Sequence, residues 1–177
     1  TTLSHQAQTA VALLTKSGLV SDAYLAGGSA LALHFGHRYS IDLDFFTQDK
    51  FDPIKLSHRL SKVGNFKETL AKGISVIGEF ETVKFSYFQY TYPLIGKTTS
   101  YLGVTIASVE DITAMKLVAI MDRGTKRDFV DLYEITHQGF SLDQLMNLYD
   151  RKYGRIENNI FSIIKSLQYF DDAQDTD

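Results

Sequence analysis

Apolar residues at Leu3, Ala7, Ala10, Val11 and Leu14 recur at helical spacing and stop at Ser17-Gly18, which predicts a helix over 3–16. Ala23-Tyr24-Leu25-Ala26 is a short apolar run ending at Gly27-Gly28, and the stretch from Ser29 to Phe35 reads as a short buried helix. Ser40-Ile-Asp-Leu-Asp-Phe-Phe46 alternates apolar and acidic residues with period two, a strand pattern. Asp52-Pro53 places a capping carboxylate before a proline, opening a helix that runs to Val63 before Gly64. Phe66 to Tyr92 is rich in β-branched and aromatic residues with a turn at Lys72-Gly73, which predicts two or three antiparallel strands. A short strand is expected at Gly103–Ala107. Ser108-Val-Glu-Asp111 is a capping-box pattern that opens a helix to about Arg123. Further helices are expected at Lys126–Thr136, after the Ser141…Gln144 cap, and at Ile156–Phe170.

The order of these elements gives an α+β core over residues 1–107 and a helical part over 108–177. No repeat or flexible linker separates them, so one continuous unit is expected. At 177 residues the chain is long enough for one compact domain, and 44% hydrophobic residues exclude a disordered chain. No apolar run approaches the ~20 residues of a membrane-spanning helix, and Thr1-Thr2-Leu3-Ser4-His5 lacks the pattern of a signal peptide. The chain has no cysteine, which excludes thiolate nucleophiles and cysteine-based zinc sites and agrees with a reducing cytoplasm. A net charge of −3 excludes a generally basic surface for nucleic acid, while leaving room for a local basic groove. Four acids crowd the last seven residues, which reads as a frayed polar tail.

The chemistry concentrates in Gly27-Gly28-Ser29 and, twelve residues on, Asp42-Leu43-Asp44. Alternate residues of a strand share a face, so Asp42 and Asp44 would project together while Ile41, Leu43 and Phe45 pack on the other side. Two neighbouring carboxylates repel, and a divalent cation resolves the conflict. Magnesium suits such a pair, because it takes few carboxylates and fills its shell with water and phosphate oxygens. Paired glycines let a ligand approach the backbone, and the helix that follows aims free N–H groups and its positive end at that position. Ser29 would add a hydroxyl donor. A phosphate cradle beside a magnesium site is the minimum equipment for nucleotidyl or phosphoryl transfer.

These residues resemble a known family. Tyr24-Leu-Ala-Gly-Gly-Ser-Ala-Leu-Ala-Leu, Gly36-His-Arg38 and Ser40-Ile-Asp-Leu-Asp-Phe-Phe46 are similar to the AbiEii/AbiGii group of the DNA polymerase β-like nucleotidyltransferases. A second stretch adds to the resemblance: Ala107-Ser-Val-Glu-Asp-Ile-Thr-Ala-Met-Lys116-Leu, then Arg123-Gly-Thr-Lys-Arg-Asp128-Phe-Val-Asp131-Leu-Tyr. The resemblance implies a mixed sheet backed by helices, a helical C-terminal part, and magnesium- or manganese-dependent chemistry on an NTP. It also implies a hydroxyl acceptor on tRNA, another RNA or a protein side chain, and a toxin role beside a separately encoded antitoxin. By the same analogy Lys116 contacts the nucleotide, and one of Asp128 and Asp131 supports the site or acts as a base.

Read on spacing alone, Ile112, Lys116 and Ala119 share a helical stripe, Arg123 follows on roughly the same face, and Arg127 and Asp131 are four apart. A lysine in an apolar stripe either snorkels, pairs with a buried acid or reaches a phosphate. A structural ion-pair cluster between the two helices is the competing interpretation. Arg38 could meet a triphosphate or pair with an acid. Many enzymes of this superfamily present a third carboxylate on a later strand, where this chain carries Ser86; Glu79, Glu81 or Asp128 are the substitutes available. His34, His37 and His58 have no zinc-ligand spacing. The aromatic run Phe85, Tyr87, Phe88, Tyr90 and Tyr92 offers either a base-stacking surface or sheet core with tyrosines at the rim. A catalytically silent protein-recognition module is the alternative to the enzyme. A sugar-nucleotide transferase is disfavoured, because no long nucleotide-binding domain precedes the Asp-x-Asp.

Overall fold

The computed structural model describes residues 2–154 and 160–168, so the acidic tail and parts of the last predicted helix lie outside the described residues. The chain divides into two compact units, Thr1–Pro93 with Thr98–Ala107, and Leu94–Lys97 with Ser108–Asp177.

The first unit is built on a seven-stranded mixed sheet. Its chain order is α1 (His5–Ser17), β1 (Tyr24–Ala26), α2 (Gly27–Phe35), β2 (Leu43–Thr47), α3 (Pro53–Val63), β3 (Phe66–Lys72), β4 (Ser75–Phe80), β5 (Val83–Gln89), β6 (Thr99–Tyr101) and β7 (Val104–Ile106). Across the sheet the strands run β3-β4-β5-β2-β1-β7-β6. β1 pairs antiparallel with β2, and the β1–β7 and β2–β5 pairs are parallel. The short β6 strand was not foreseen; three residues carry too little periodicity to read.

Local chemistry explains the ends of these elements. Ser4 caps α1 by accepting the Ala7 N–H at 3.1 Å, and Gly18 closes it in the left-handed conformation. Asp52 caps α3 at Lys55, with Pro53 at the first helical position. α1 packs against α3 and β5, α2 against β1 and β2, and α3 against β3 and β4. Leu14, Leu31, Leu43, Phe45, Leu60, Phe80 and Phe85 are fully enclosed. β2 alternates as expected, with Leu43, Phe45 and Thr47 buried and Asp44 and Phe46 half-buried.

Two details of the first motif differ from the expectation. The strand begins at Leu43, so Asp42 lies one residue ahead of it, and Ile41 is 57% exposed instead of packed. The reason lies in Ser40. Its N–H donates to the Thr2 carbonyl at 3.0 Å and it bridges to Leu3, so the chain is held by the N-terminal segment before it enters the sheet.

The second unit is helical: α4 (Val109–Asp122), α5 (Lys126–His137), α6 (Leu142–Tyr153) and α7 (Ile160–Leu167). α4 contacts each of the other three. Ser141 and Gln144 form a complete capping box on α6. The box predicted at Ser108 is only half made. Ser108 accepts the Asp111 N–H, but the Asp111 carboxylate turns to other donors. It accepts the N–H groups of Ile95 at 3.0 Å and Gly96 at 3.1 Å, the Ser108 hydroxyl at 2.7 Å and the Lys152 ammonium at 2.7 Å. Both side chains of the Asp111–Lys152 pair are fully enclosed. Gly96 is required here, because a Cβ would stand 2.2 Å from Ser108 Oγ. This knot fastens residues 94–97 to α4 and α6. Removing one partner leaves a buried charge uncompensated, so Asp111→Ala should destabilise the protein by about 3–5 kcal/mol in urea unfolding. A double change to Asp111→Ala with Lys152→Met should recover part of that loss.

Candidate active site

The pairing of β1 with β2 sets Ala26 opposite Asp44, so the acid stands beside the residue that precedes the glycine bend. Gly27 has φ +69°, and a Cβ added there would lie 3.0 Å from Asp44 Oδ2. Glycine is therefore needed twice over, for its backbone conformation and for the approach of the carboxylate. α2 starts at Gly27, two residues earlier than the sequence pattern indicated, and its N-cap residue Ala26 makes no side-chain cap bond. The N–H groups of that turn and the positive end of the helix lie at the glycine bend.

Ser29 is buried, and its hydroxyl does something other than face a ligand. It bonds Ser40 Oγ at 2.8 Å and the Asp42 carbonyl, which anchors the segment leading into β2 and so fixes where Asp42 stands. The backbone N–H of Ser29 remains part of the first turn of α2. Arg38 is half-buried, and its Nη1 donates to the Tyr39 carbonyl at 3.2 Å. His34 donates Nε2–H to the Ala107 carbonyl at 2.8 Å, a structural bond in keeping with the absence of zinc-ligand spacing.

The neighbouring strand shows what replaces a third carboxylate. Ser86 is the register partner of Asp44 across β2 and β5. Glu79 is aligned with Lys84 and forms an ion pair with Lys67 at 3.1 Å, while Glu81 sits in the β4–β5 turn and accepts the Asn65 N–H at 2.7 Å. Neither glutamate substitutes for the missing acid. Among the described residues no group of three or more acidic or histidine side chains could hold a metal ion. A metal here would be carried by Asp42 and Asp44 together with oxygens of the substrate, and hard carboxylate oxygens are the donors that magnesium or manganese prefers.

In the second unit, Lys116, Asp128, Asp131 and Arg123 come together between α4 and α5. The Lys116 ammonium is buried and contacts Asp128 at 2.9 Å and Asp131 at 2.7 Å. Asp128 also accepts from Arg123 Nε at 3.0 Å, from Arg123 Nη2 at 3.1 Å and from Thr125 Oγ1 at 2.7 Å. Burial by itself would raise the Asp128 carboxyl, but the bonds from Arg123, Lys116 and Thr125 outweigh it and hold the group far below the usual carboxylate range. A carboxylate so depressed is a weak proton acceptor at neutral pH. Of the interpretations left open by spacing, the ion-pair cluster is the one present, and it suits Asp128 to anchoring rather than base catalysis. Arg127 lies exposed on α5.

The sequence matches the family described as nucleotidyl transferase AbiEii toxin, type IV toxin–antitoxin system, over residues 11–100 and 74–175. The chain belongs to the AbiEii nucleotidyltransferase toxin family. A relative from Aquifex aeolicus, the uncharacterized protein aq_aa25, is 38% identical over 178 residues, covering 98% of this chain and 85% of its own. The fold is similar to that of JHP933 from Helicobacter pylori, with a TM-score of 0.58 at 21% identity over 97% of this chain and 92% of the other. A second Helicobacter pylori structure matches with a TM-score of 0.57, also at 21% identity, over 98% of this chain and 88% of the other. As a member of this family the chain is a nucleotidyltransferase with an α+β fold of mixed sheet and flanking helices. No helix among the described residues is long and apolar enough to cross a membrane.

Gly27→Ala should force a left-handed backbone on a residue that resists it by about 1–2 kcal/mol and push the Asp44 carboxylate aside. The expected result is a small fall in Tm with a roughly hundredfold loss of nucleotidyl transfer. Acid should act on the second unit. Burial opposes ionisation of Asp111 as well, and the bonds from Lys152, Ser108 and Ile95 overcome it and lower that group. Because the folded values of Asp111 and Asp128 lie below the unfolded value of about 3.9, their contribution is complete above that pH and is lost as pH falls through the folded values. Urea midpoints should therefore change little from pH 7 to 5 and drop toward pH 3, and Asp128→Asn should flatten part of that drop.

Proposed function

We propose that the protein transfers an NMP from an NTP to a hydroxyl acceptor, with Asp42 and Asp44 as the metal-binding carboxylates and the glycine bend as the triphosphate cradle. The observation that carries this reading is the Asp44 carboxylate packed against Gly27 at the start of α2. It places an anionic, metal-seeking group beside N–H donors that favour phosphate, and those two features suit one ligand: a metal-bound triphosphate. The N–H groups of Gly28 and Ser29 hold phosphate oxygens, and the Ser29 hydroxyl holds the backbone at Asp42. Bound magnesium or manganese would supply charge neutralisation at the α-phosphate and on the departing pyrophosphate.

Catalysis on this reading is positioning and electrostatics, with no covalent intermediate on the protein. Ser86 beside Asp44 leaves two acids for the work. The acceptor proton then passes to solvent or to one of the two carboxylates, since Asp128 is unsuited to take it. Lys116, Asp131 and Arg123 fix α4 to α5 within the second unit. The family's place in toxin–antitoxin systems makes a cognate antitoxin a proposed partner and the cytoplasm the proposed location.

Incubation of the full chain with each labelled NTP, magnesium and total RNA tests the reading. Label transfer should require the divalent ion and should fall at least a hundredfold in Asp42→Asn and Asp44→Asn, with melting curves close to those of the parent protein. Transfer retained in Asp44→Asn would remove the mechanism. Absence of transfer with every NTP would favour the silent recognition module, for which the Ser86 substitution is the supporting observation.

A further inference from the structure

The strand order β5-β2-β1 gives β2 a neighbour on each flank. On the β1 side the glycine bend follows Ala26, which is aligned with Asp44. Because β1 is antiparallel to β2, the bend lies toward the Asp42 end of β2. On the other flank Ser86 is aligned with Asp44, and β5 runs parallel to β2. Lys84 is two residues ahead of Ser86 on β5, so it shares the Asp44 face and lies toward the same Asp42 end. Strands stand ~4.8 Å apart and rise ~3.3 Å per residue, which sets the Lys84 backbone about 8 Å from that of Asp44. A lysine's four-carbon stem covers that interval.

The surroundings of Lys84 leave its ammonium without a structural task. In the β4–β5 hairpin it is aligned with Glu79, the acid that a cross-strand pair would use. Glu79 is held instead by Lys67, its register partner on β3, at 3.1 Å. Lys84 is exposed, and among the described residues it forms no ion pair. Lys116, the lysine that the resemblance assigns to the nucleotide, is already matched by Asp128 and Asp131. Ser86 adds a need for charge. With a serine beside Asp44, the face has one carboxylate fewer with which to hold cations. A triphosphate against Asp42 and Asp44 then meets less positive charge, and an ammonium on the Ser86 strand offsets the deficit.

We infer that Lys84 binds the triphosphate of the incoming NTP, its ammonium donating to β- and γ-phosphate oxygens from the flank of β2 opposite the glycine bend. The inference rests on the nucleotidyl-transfer reading above. The bend and Lys84 stand two strand spacings apart, about 10 Å, an interval that a triphosphate and an extended lysine stem bridge together. In the step, the acceptor oxygen bonds to the α-phosphorus and the bond to the bridging oxygen breaks. The electron pair passes to pyrophosphate, which leaves, and the acceptor proton passes to solvent. Charge grows on the phosphates that Lys84 contacts, so the contact strengthens toward the transition state. A compact ammonium on a flexible stem suits a leaving group that must also be released.

The test is calorimetry of the full chain in magnesium buffer with each of the four NTPs and with the matching NMPs. Lys84→Gln should weaken NTP binding roughly tenfold and leave NMP binding unchanged, with a melting curve like that of the parent. Lys84→Arg should keep most of the NTP affinity. Lys72→Gln, at the exposed end of β3, removes the same charge and should change neither affinity. Equal NTP affinity in the parent and in Lys84→Gln overturns the assignment, while label transfer by the parent would still uphold nucleotidyl transfer. An equal loss in Lys72→Gln overturns it too, because the effect is then one of net charge. A parent protein that binds no NTP overturns the transfer reading, and with it the role of Lys84.

Discussion

The approach of the Asp44 carboxylate to the backbone of Gly27 is the contact on which the geometry of the site depends. It exists because β1 and β2 pair antiparallel with Ala26 opposite Asp44, so the last residue before the bend and the acid share one level of the sheet. A Cβ at position 27 would crowd the carboxylate at 3.0 Å, and the positive φ disfavours most residues in any case. Ser29 completes the arrangement from below. Its buried hydroxyl ties the start of α2 to the segment carrying Asp42, which the Ser40–Thr2 bond holds as well.

The second unit meets a different constraint, the cost of enclosing charge. Lys116 and Lys152 are both buried, and each is matched by carboxylates that have further donors of their own. Lys152 and Asp111 gather the backbone of Ile95 and Gly96, whereas Lys116, Asp128 and Asp131 join α4 to α5. Such networks are costly to break and rigid when complete, which suits helices whose relative placement must not drift. The same completeness lowers the basicity of Asp128, so the feature that makes it a good anchor makes it a poor base.

Much of the site was legible in the chain because its signals are local. A glycine pair between an apolar run and a short helix, and acids alternating with large apolar residues, follow from backbone sterics and strand periodicity within a few residues. Helix caps at Asp52 and Ser141 were readable for the same reason. Legibility failed where the deciding partner is distant. Ile41 looked like core because it continues the alternation, but the bond from Ser40 to Thr2 holds that segment off the sheet. Asp111 looked like half of a capping box, and a lysine 41 residues away claimed its carboxylate.

By itself, then, the order of residues determined most of the elements, the α+β class and a glycine bend followed by an alternating acidic strand, since each depends on spacing along one stretch of backbone. Tertiary structure decided which groups meet. Strand register put Ser86, and no carboxylate, beside Asp44, and tied Glu79 and Glu81 to other partners. It also separated Phe45, Phe85 and Tyr87 from Phe46, Phe88 and Tyr90, because alternate side chains leave a sheet on opposite faces and only the pairing of strands shows which face is covered.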